Sequence, residues 1–238
     1  MYGYGYRYNS GLVIGAGGGA PFANTKSLLF DGVDDYLNLG RVTAMEGATN
    51  FSASMWVKPT SYAGIRSLLG KFASGTDFFQ AFTTNVFGYV ILYISNGQTN
   101  YPKVTTSSSI PLNTWGLLTF VYDGSLIGNL NKAKIYINGS LVATTTTIYQ
   151  MPSSLSLDTT DFNIAQIGGA TETPTAGGID EVSLYDYSLS ASEVTDIYNL
   201  GTPTDLSLLA TPPTNWYRNG DNGSWKSPQW LIPNNENK

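Results

Sequence analysis

Short runs of alternating apolar and polar residues, separated by turn residues, constrain the fold of this chain more than any other feature. In the run FSASMWVK, residues 51–58, every odd-numbered residue is apolar and falls on one face, and Pro59 ends the run. Similar runs lie at 67–72, 78–82, 89–94, 115–122 and 134–137. A period of two is typical of half-buried strands, so the pattern predicts an all-β fold.

Composition removes several classes of function. The chain of 238 residues has no cysteine and no histidine, which excludes disulfides, zinc–thiolate sites and catalytic groups that depend on either residue. Its net charge is −5 and its basic residues form no cluster, so nucleic acid is not expected as a partner. The length fits one large β domain.

Two local motifs predict a hairpin and a short helix. The dipeptide Asn138-Gly139 lies between alternating strands, which is the strongest two-residue hairpin signal. Ser190 and Glu193 form a capping box, which predicts a helix near 190–199, and Gly201 stands where a C-terminal cap is expected.

The segment 179–185 before this helix is predicted to be a strand. Strict alternation would place Asp180 on the same face as Val182 and Leu184, which is the core face, and Glu181 on the opposite face. Two adjacent carboxylates on opposite faces cannot flank one glycosidic bond, which argues against a glycosidase active site.

The chain divides into an N-terminal arm at 1–25, a sandwich at 26–201 and a C-terminal tail at 202–238. The arm alternates tyrosine with glycine at Tyr2, Tyr4, Tyr6 and Tyr8, and is interpreted as flexible or as a strand that docks on a sheet. Prolines crowd the tail, so regular structure is expected to end near residue 201. Its tryptophans predict that the tail wraps the domain or a partner.

Several motifs together resemble the LamG-like jelly-roll domains of the concanavalin A-like lectin/glucanase superfamily. They occur in the family's order over about residues 26–201 and are LFDGVDDY at 29–36, FSASMWVKP at 51–59, Trp115 with YDG at 122–124, IYING at 135–139, IGG at 167–169, and GIDEV at 178–182 followed by Leu189, Ser190 and Glu193. The resemblance implies two curved antiparallel sheets, with the strands near Leu28 and Val182 adjacent. It also implies that Asp180 lies beside the Phe-Asp-Gly turn in a structural role.

Acidic residues near that turn predict a metal site. Asp31, Asp34 and Asp180, with Asp35 beside them, could hold Ca²⁺ as a structural ion, with carbonyl oxygens around Gly32 completing the shell. The alternative is that these aspartates only accept backbone hydrogen bonds at turns.

Aromatic and amide residues in turn-rich segments predict a sugar-binding site. The candidates are Tyr62, Tyr89, Asn96, Gln98 and Tyr101, which offer rings for stacking and amides for hydroxyl groups. The alternative is that the tyrosines are ordinary cross-strand neighbours on a sheet.

The aromatic tail also resembles virion proteins of tailed phages, in which LamG-like domains occur as capsid or tail decorations. The leading hypothesis is therefore a non-enzymatic virion surface protein, anchored to other virion proteins or to further copies by its arm and tail and displaying a sandwich that meets cell-surface glycans. This resemblance makes the virion the expected location, and the N-terminus shows none of the features expected of a signal peptide or a membrane span. The alternative is a free carbohydrate-binding lectin, either calcium-dependent or not, and a glycosidase is a third hypothesis.

Overall fold

The computed structural model of the protein describes residues 22–167, 173–221, 224–226 and 229–231, and its regular structure is mainly strand. The predicted tyrosine arm up to residue 21 lies outside the described residues, as do Gly168 and Gly169 of the Ile-Gly-Gly motif. In the described part, no helix is long and apolar enough to cross a membrane.

The elements follow one another closely along the chain. The strands are β1 (Leu28–Asp31), β2 (Leu37–Asn38), β3 (Asn50–Pro59), β4 (Arg66–Ser74), β5 (Asp77–Thr83), β6 (Val90–Asn96), β7 (Lys103–Thr106), β8 (Gly116–Asp123), β9 (Ala133–Ile137), β10 (Ser140–Leu141), β11 (Thr144–Thr146), β12 (Asn163–Ile164), β13 (Ala176–Tyr185), β14 (Asn215–Tyr217), β15 (Ser224–Lys226) and β16 (Gln229–Leu231). The helices are α1 (Asn129–Lys132) and α2 (Ala191–Tyr198), with short 3-10 turns at Thr43–Met45, Asn199–Gly201 and Leu206–Leu208.

These strands form two large sheets. The first sheet has the order β1-β13-β3-β8-β9-β10, and β14 also pairs with β13. The second sheet has the order β11-β7-β6-β5-β4-β12-β2, and β15 and β16 pair separately. The pairings between these strands are antiparallel, which confirms the predicted all-β sandwich of two antiparallel sheets with one short helix after β13.

The main core lies between the two sheets and follows the predicted alternation. The odd-numbered residues of β3 from Phe51 to Val57 belong to this core, together with Phe79 and Leu92 from the second sheet. The hairpin between β9 and β10 turns at Asn138 and Gly139, whose φ values of 52° and 77° are those of a type I′ turn. Both predictions are confirmed.

A second apolar cluster lies on the outer face of the first sheet. Here α2 contributes Val194 and Ile197, which pack with Trp56 and Tyr136 from the sheet. Glu193 and the N-cap Ser190 form the predicted capping box. The helix therefore covers an apolar sheet face.

The predicted cap at Gly201 is wrong in position. The left-handed residue that ends α2 is Asn199, with φ 43°, and its N–H group bonds to the carbonyl of Thr195. Asparagine tolerates this conformation better than most residues, so the helix does not need the glycine to end.

Strand β13 departs from the predicted alternation. Ile179 pairs with Val57 and faces the core, and Asp180 pairs with Trp56 on the outer face. A bulge follows, in which Glu181 has φ 46°, so that Val182 faces the core again. The prediction that Asp180 points toward the core is therefore wrong, because the bulge inserts one residue into the period of two.

Regular structure also continues beyond residue 201. Trp216 and Tyr217 of β14 are buried, and β14 extends the first sheet by pairing with β13. The expectation that regular structure ends near 201 is wrong, because short strands fit between the prolines of this segment. Its residues up to 221 pack on the sandwich, beside the described residues that precede β1.

Candidate functional site

The outer face of the second sheet brings together a row of five residues from five strands. Tyr93 of β6 pairs with Gln80 of β5 on one side and with Lys103 of β7 on the other. Gln80 in turn pairs with Gly70 of β4, and Gly70 with Asn163 of β12. Because their strand neighbours Phe79, Leu69 and Ile164 face the core, these side chains face outward.

Aromatic rings flank this row. The rings of Phe72 and Tyr101 stack on either side of Phe78, at centroid distances of 6.2 and 5.8 Å. Phe78 and Phe82 also contact the ring of Tyr93 edge to face. Tyr101 is 54% exposed and Tyr93 is half-buried, so part of this aromatic surface is open to solvent.

Three buried polar atoms on this face have no hydrogen-bond partner in the described part of the chain. They are Ser67 Oγ, Gln80 Nε2 and Asn163 Oδ1, and the Gln80 side chain is only 6% exposed. Such an atom costs about 1–3 kcal/mol of stability when it stays unpaired. Three of them on one face therefore call for a functional explanation.

Gly70 leaves a gap in the row between Gln80 and Asn163. Its φ of 146° favours glycine, and a Cβ atom there would collide with the carbonyl oxygen of Phe79. Gly70 therefore contributes no side chain between the two amides, which are two strand spacings, about 10 Å, apart at the backbone. An unpaired donor thus stands on one side of a gap and an unpaired acceptor on the other.

At the other end of the row, Lys103 and Tyr93 contact each other through a hydrogen bond and a cation–π interaction. Lys103 Nζ donates to Tyr93 Oη at 3.0 Å and lies 5.0 Å from the centre of the tyrosine ring. Among the described residues, Lys103 forms no ion pair with a carboxylate. The face therefore carries amide, phenol and ammonium groups next to aromatic rings.

The predicted sugar-binding residues do not form one group. Tyr89 lies at the start of β6, whereas Asn96, Gln98 and Tyr101 lie at or beyond its far end, roughly 20 Å away along the strand. Tyr89 stacks with the exposed Phe87 at 5.5 Å. Only Tyr101 belongs to the face described above.

Tyr62 is not available to a ligand, contrary to the prediction. Its side chain is 8% exposed, and its hydroxyl donates to the carbonyl of Ile110 at 2.5 Å. Burial raises the pKa of Tyr62 to about 12. The ring packs against Gly88, where any side chain would collide with it. Tyr62 therefore has a structural role.

The predicted amides Asn96 and Gln98 bind a neighbouring segment of the chain. Asn96 Nδ2 donates to the carbonyl oxygens of Ser154 and Leu155, both at 3.3 Å. Gln98 Nε2 donates to the carbonyl of Gln150 at 2.9 Å. Their donor groups therefore hold the segment 150–155 in place, and their role toward a ligand stays a prediction.

The adjacent acids Asp180 and Glu181, called here the acid pair, project from the bulge of β13 into a cluster on the outer face of the first sheet. Asn24 Nδ2 donates to Asp180 at 3.0 Å and to Glu181 at 2.7 Å. Glu181 also accepts from Trp216 Nε1 at 2.5 Å and from Arg218 Nε at 3.2 Å. The second Asp180 oxygen accepts the N–H group of Glu181 at 2.8 Å. All four carboxylate oxygens are thus bonded.

Burial dominates the electrostatics of the acid pair. Desolvation and the charge of Glu181 raise the pKa of Asp180 well above its ordinary value. Desolvation also raises the pKa of Glu181 to about 7, although Arg218, Trp216 and Asn24 oppose the shift. Both side chains are less than 5% exposed and all their oxygens are bonded, so they present no free carboxylate oxygen to a substrate.

The predicted calcium ligands are only partly brought together. The carboxylates of Asp31, Asp34 and Asp35 lie within 4.8 Å of one another. Asp31 pairs with Ala176 on β13, so Asp180 lies four residues further along that strand, about 13 Å away. The expectation that Asp180 sits by the Phe-Asp-Gly turn and shares a metal with Asp31 is therefore wrong.

The three remaining aspartates have the donor chemistry that Ca²⁺ prefers, but two of them already accept backbone hydrogen bonds. Asp31 accepts the N–H group of Val33 at 2.8 Å, and Asp35 accepts that of Asp31 at 2.9 Å. The carbonyl of Gly32 accepts from Arg66 at 2.9 Å. Calcium at this turn stays a prediction.

The outer face of the second sheet escaped the analysis of the sequence because its row joins strands that are far apart in the chain. One signal was present: Phe78, Gln80 and Phe82 alternate with residues of the core, so the segment FFQAF places an amide between two aromatic residues. The position of Asn163 opposite Gly70 could not be found from sequence, because it depends on the pairing of β12 with β4.

A family model for the concanavalin A-like lectin/glucanases superfamily matches residues 31–195, which is more than half of the chain. No curated protein matches the chain in sequence.

Solved structures with the same fold include several from carbohydrate-related proteins. Domain 4 of AbnA, an extracellular arabinanase of Geobacillus stearothermophilus solved with arabinotriose, has 23% identity and a TM-score of 0.59, and the match covers 76% of this chain and 82% of that one. The CBM40 module of a Ruminococcus gnavus IT-sialidase has 17% identity and a TM-score of 0.57, covering 72% and 96%. A heptameric pentraxin of Limulus polyphemus has 14% identity and a TM-score of 0.52, covering 86% and 90%. At these identities the likeness shows the fold alone.

Proposed function

Because the chain belongs to the concanavalin A-like lectin/glucanases superfamily, we propose that it is a non-catalytic glycan-binding protein. The proposed binding surface is the outer face of the second sheet. Solved structures with this fold include a carbohydrate-binding module of a sialidase and an arabinanase domain solved with arabinotriose, which supports a sugar as the ligand.

The observation that carries the proposal is the pair of unpartnered amides on either side of Gly70. Both atoms are buried in the chain without a ligand, so a sugar reaches them only by displacing the side chains that cover them. A sugar hydroxyl is both a donor and an acceptor, so one hydroxyl would then accept from Gln80 Nε2 while another donates to Asn163 Oδ1. The exposed ring of Tyr101 and the half-buried ring of Tyr93 offer apolar surface to the faces of the sugar rings. Polar groups beside aromatic rings are the usual composition of a small-molecule site.

A catalytic role for the acid pair receives no support from its geometry. Hydrolysis of a glycosidic bond needs two carboxyl groups that face a groove open to substrate. Asp180 and Glu181 are buried under Asn24 and Trp216, and their oxygens are occupied. We therefore assign the acid pair to the stability of the fold.

The test is a glycan array followed by titration calorimetry with the best oligosaccharide. We expect selective, saturable binding, and a loss of about three- to tenfold in affinity for Tyr101→Ala, because an aromatic contact contributes roughly 0.5–1.5 kcal/mol.

Tyr149→Ala is the matched control. Tyr149 is 42% exposed and belongs to the bend after β11 rather than to the row on the second sheet, so its removal should leave the affinity unchanged. An array without selective binding would contradict the proposed function. Equal losses for the two variants would contradict the choice of surface.

A display role on a virion surface is a further, separate proposal, supported only by the resemblance of the aromatic tail. The contacts of Asn24 with the acid pair and of Thr25 with Asp221 bind the described ends of both extensions to the chain's own sandwich. Anchoring to other virion proteins or to further copies would therefore have to use other parts of the extensions. The protein should co-sediment with purified particles, and its absence from them would contradict this role.

A further inference from the structure

The outer face of the second sheet offers groups of opposite character at its two ends. At the β12 end, the unpartnered atom is an acceptor, Asn163 Oδ1. Toward the β7 end stand donors: Gln80 Nε2, the hydroxyl of Tyr93 and the ammonium group of Lys103. A ligand that fits this row must therefore present an acceptor-rich group at the Lys103 end.

Lys103 is a positioned cation. Its Nζ donates one N–H group to Tyr93 Oη at 3.0 Å. An ammonium group has three N–H groups, so two remain for a ligand. Since Tyr93 Oη accepts this bond, its own hydrogen is free to donate. The two side chains therefore present at least three donor hydrogens at one place.

No acid competes for these donors on the central strands. All of β4 to β7 is described, and its outward-facing positions are occupied by serine, glycine, glutamine, threonine, isoleucine, aromatic residues and Lys103. Within 4.0 Å, Lys103 meets no carboxylate of the described residues.

The length of the row sets the size of the ligand. From Asn163 to Lys103 the row crosses four strand spacings, about 19 Å at the backbone. That span exceeds a single sugar ring, so an oligosaccharide lying across the strands is required to reach both ends.

We propose that the ligand is an acidic oligosaccharide whose carboxylate binds Lys103 and Tyr93 while its hydroxyl groups bind Gln80 and Asn163. This inference rests on the proposed function and names the class of glycan. The carboxylate supplies the acceptors that the donor-rich end lacks, and hydrogen bonds to a charged partner are the stronger kind.

The experiment compares galacturonate and glucuronate oligosaccharides with their methyl esters, which remove the charge and keep the rest of the sugar. Titration calorimetry should give the free acid an affinity at least about tenfold higher than that of its ester, with the ratio falling as salt is raised. Lys103→Gln should reduce this ratio to about one, whereas Lys103→Arg should keep most of it.

Lys26→Gln is the control for the change in net charge. Lys26 is exposed and lies beside Gly220, away from the second sheet, so its variant should keep the wild-type ratio. Equal binding of acid and ester by the wild type, or an unchanged ratio in Lys103→Gln, would overturn the inference and leave the proposed function standing. Binding of no oligosaccharide at all would overturn both.

Discussion

The two sheets of the sandwich differ in what lies on their outer faces. On the first sheet, α2 and the segment up to β14 cover aromatic residues such as Trp56 and Tyr136. On the second sheet, Tyr93 and Tyr101 keep part of their surface in solvent. Both faces combine aromatic rings with buried polar groups, so composition alone does not separate a structural face from a binding face.

The acid pair of the first face and the amides of the second face differ in whether their buried polar atoms have partners, although Thr119 Oγ1 on the first face also has none among the described residues. The acid pair on the first face has every carboxylate oxygen bonded, including bonds from Asn24 and Trp216. On the second face, Gln80 Nε2 and Asn163 Oδ1 have none in the described part of the chain. A fully bonded group stabilises the fold, whereas an unbonded one costs stability and is explained when a ligand completes it.

The largest expected effect is the loss of stability caused by Glu181→Ala on the first face. Removal of this carboxylate takes away the acceptor of Arg218 Nε and of Trp216 Nε1 within a buried cluster. We expect the free energy of unfolding to fall by about 3–5 kcal/mol, measured by urea denaturation.

Glu46→Ala is the matched control for Glu181→Ala. It removes a glutamate that pairs with the exposed Arg41, and exposed pairs contribute little. A similar small change in both variants would show that the acid pair does not hold the first face together.

The pH dependence of stability sharpens the same contrast. Because burial raises the pKa of Glu181 to about 7 and that of Asp180 well above its ordinary value, the folded state binds protons that the unfolded state releases. Stability is therefore fully present below the ordinary carboxyl pKa and is lost as pH rises through the raised values. The melting temperature should be lower at about pH 8 than at about pH 5, and Asp180→Asn should weaken that dependence. A melting temperature that rises over this range would contradict the assignment.

On the second face, Gln80→Met should separate stability from binding. Methionine has a similar shape and no donor, so the unpaired amide disappears from a position that is 6% exposed. We expect the free energy of unfolding to rise by about 1 kcal/mol and the affinity for the glycan to fall at least about tenfold.

Gln150→Met is the control, because Gln150 is exposed and belongs to the segment after β11 rather than to a strand of the second sheet. It should change neither the free energy of unfolding nor the affinity for the glycan. If Gln80→Met keeps full affinity, the unpaired amide has no role in recognition and the comparison between the faces fails.

The local parts of the fold could be predicted from the sequence. The alternation in β3, the turn at Asn138 and the capping box of Ser190 each depend on residues that are close together in the chain. The bulge at Glu181 could not be predicted, because the side chain of this residue with positive φ bonds to Asn24 and Trp216, which lie far away in sequence.

The candidate site depended even more on distant pairings. Tyr101 was predicted, but Gln80, Tyr93 and Asn163 were not, because only the order of the strands in the second sheet aligns them. Tyr62 failed as a candidate for a related reason: a tyrosine in a turn-rich segment can still be buried by another loop, here the one that contains Gly88.

The smallest expected effect concerns the aspartates at the turn after β1, which lie apart from both faces. If Ca²⁺ binds Asp31, Asp34 and Asp35, binding to the folded state alone raises the melting temperature in proportion to the logarithm of the calcium concentration above the Kd. The melting temperature in millimolar calcium should then be a few degrees higher than in a chelator, and Asp34→Asn should abolish this difference. Asp180→Asn should leave it intact, because Asp180 lies about 13 Å along β13 from the residue opposite Asp31. Identical melting in calcium and in chelator would mean that these carboxylates only accept the N–H groups of their own turn, as those of Asp31 and Asp35 do.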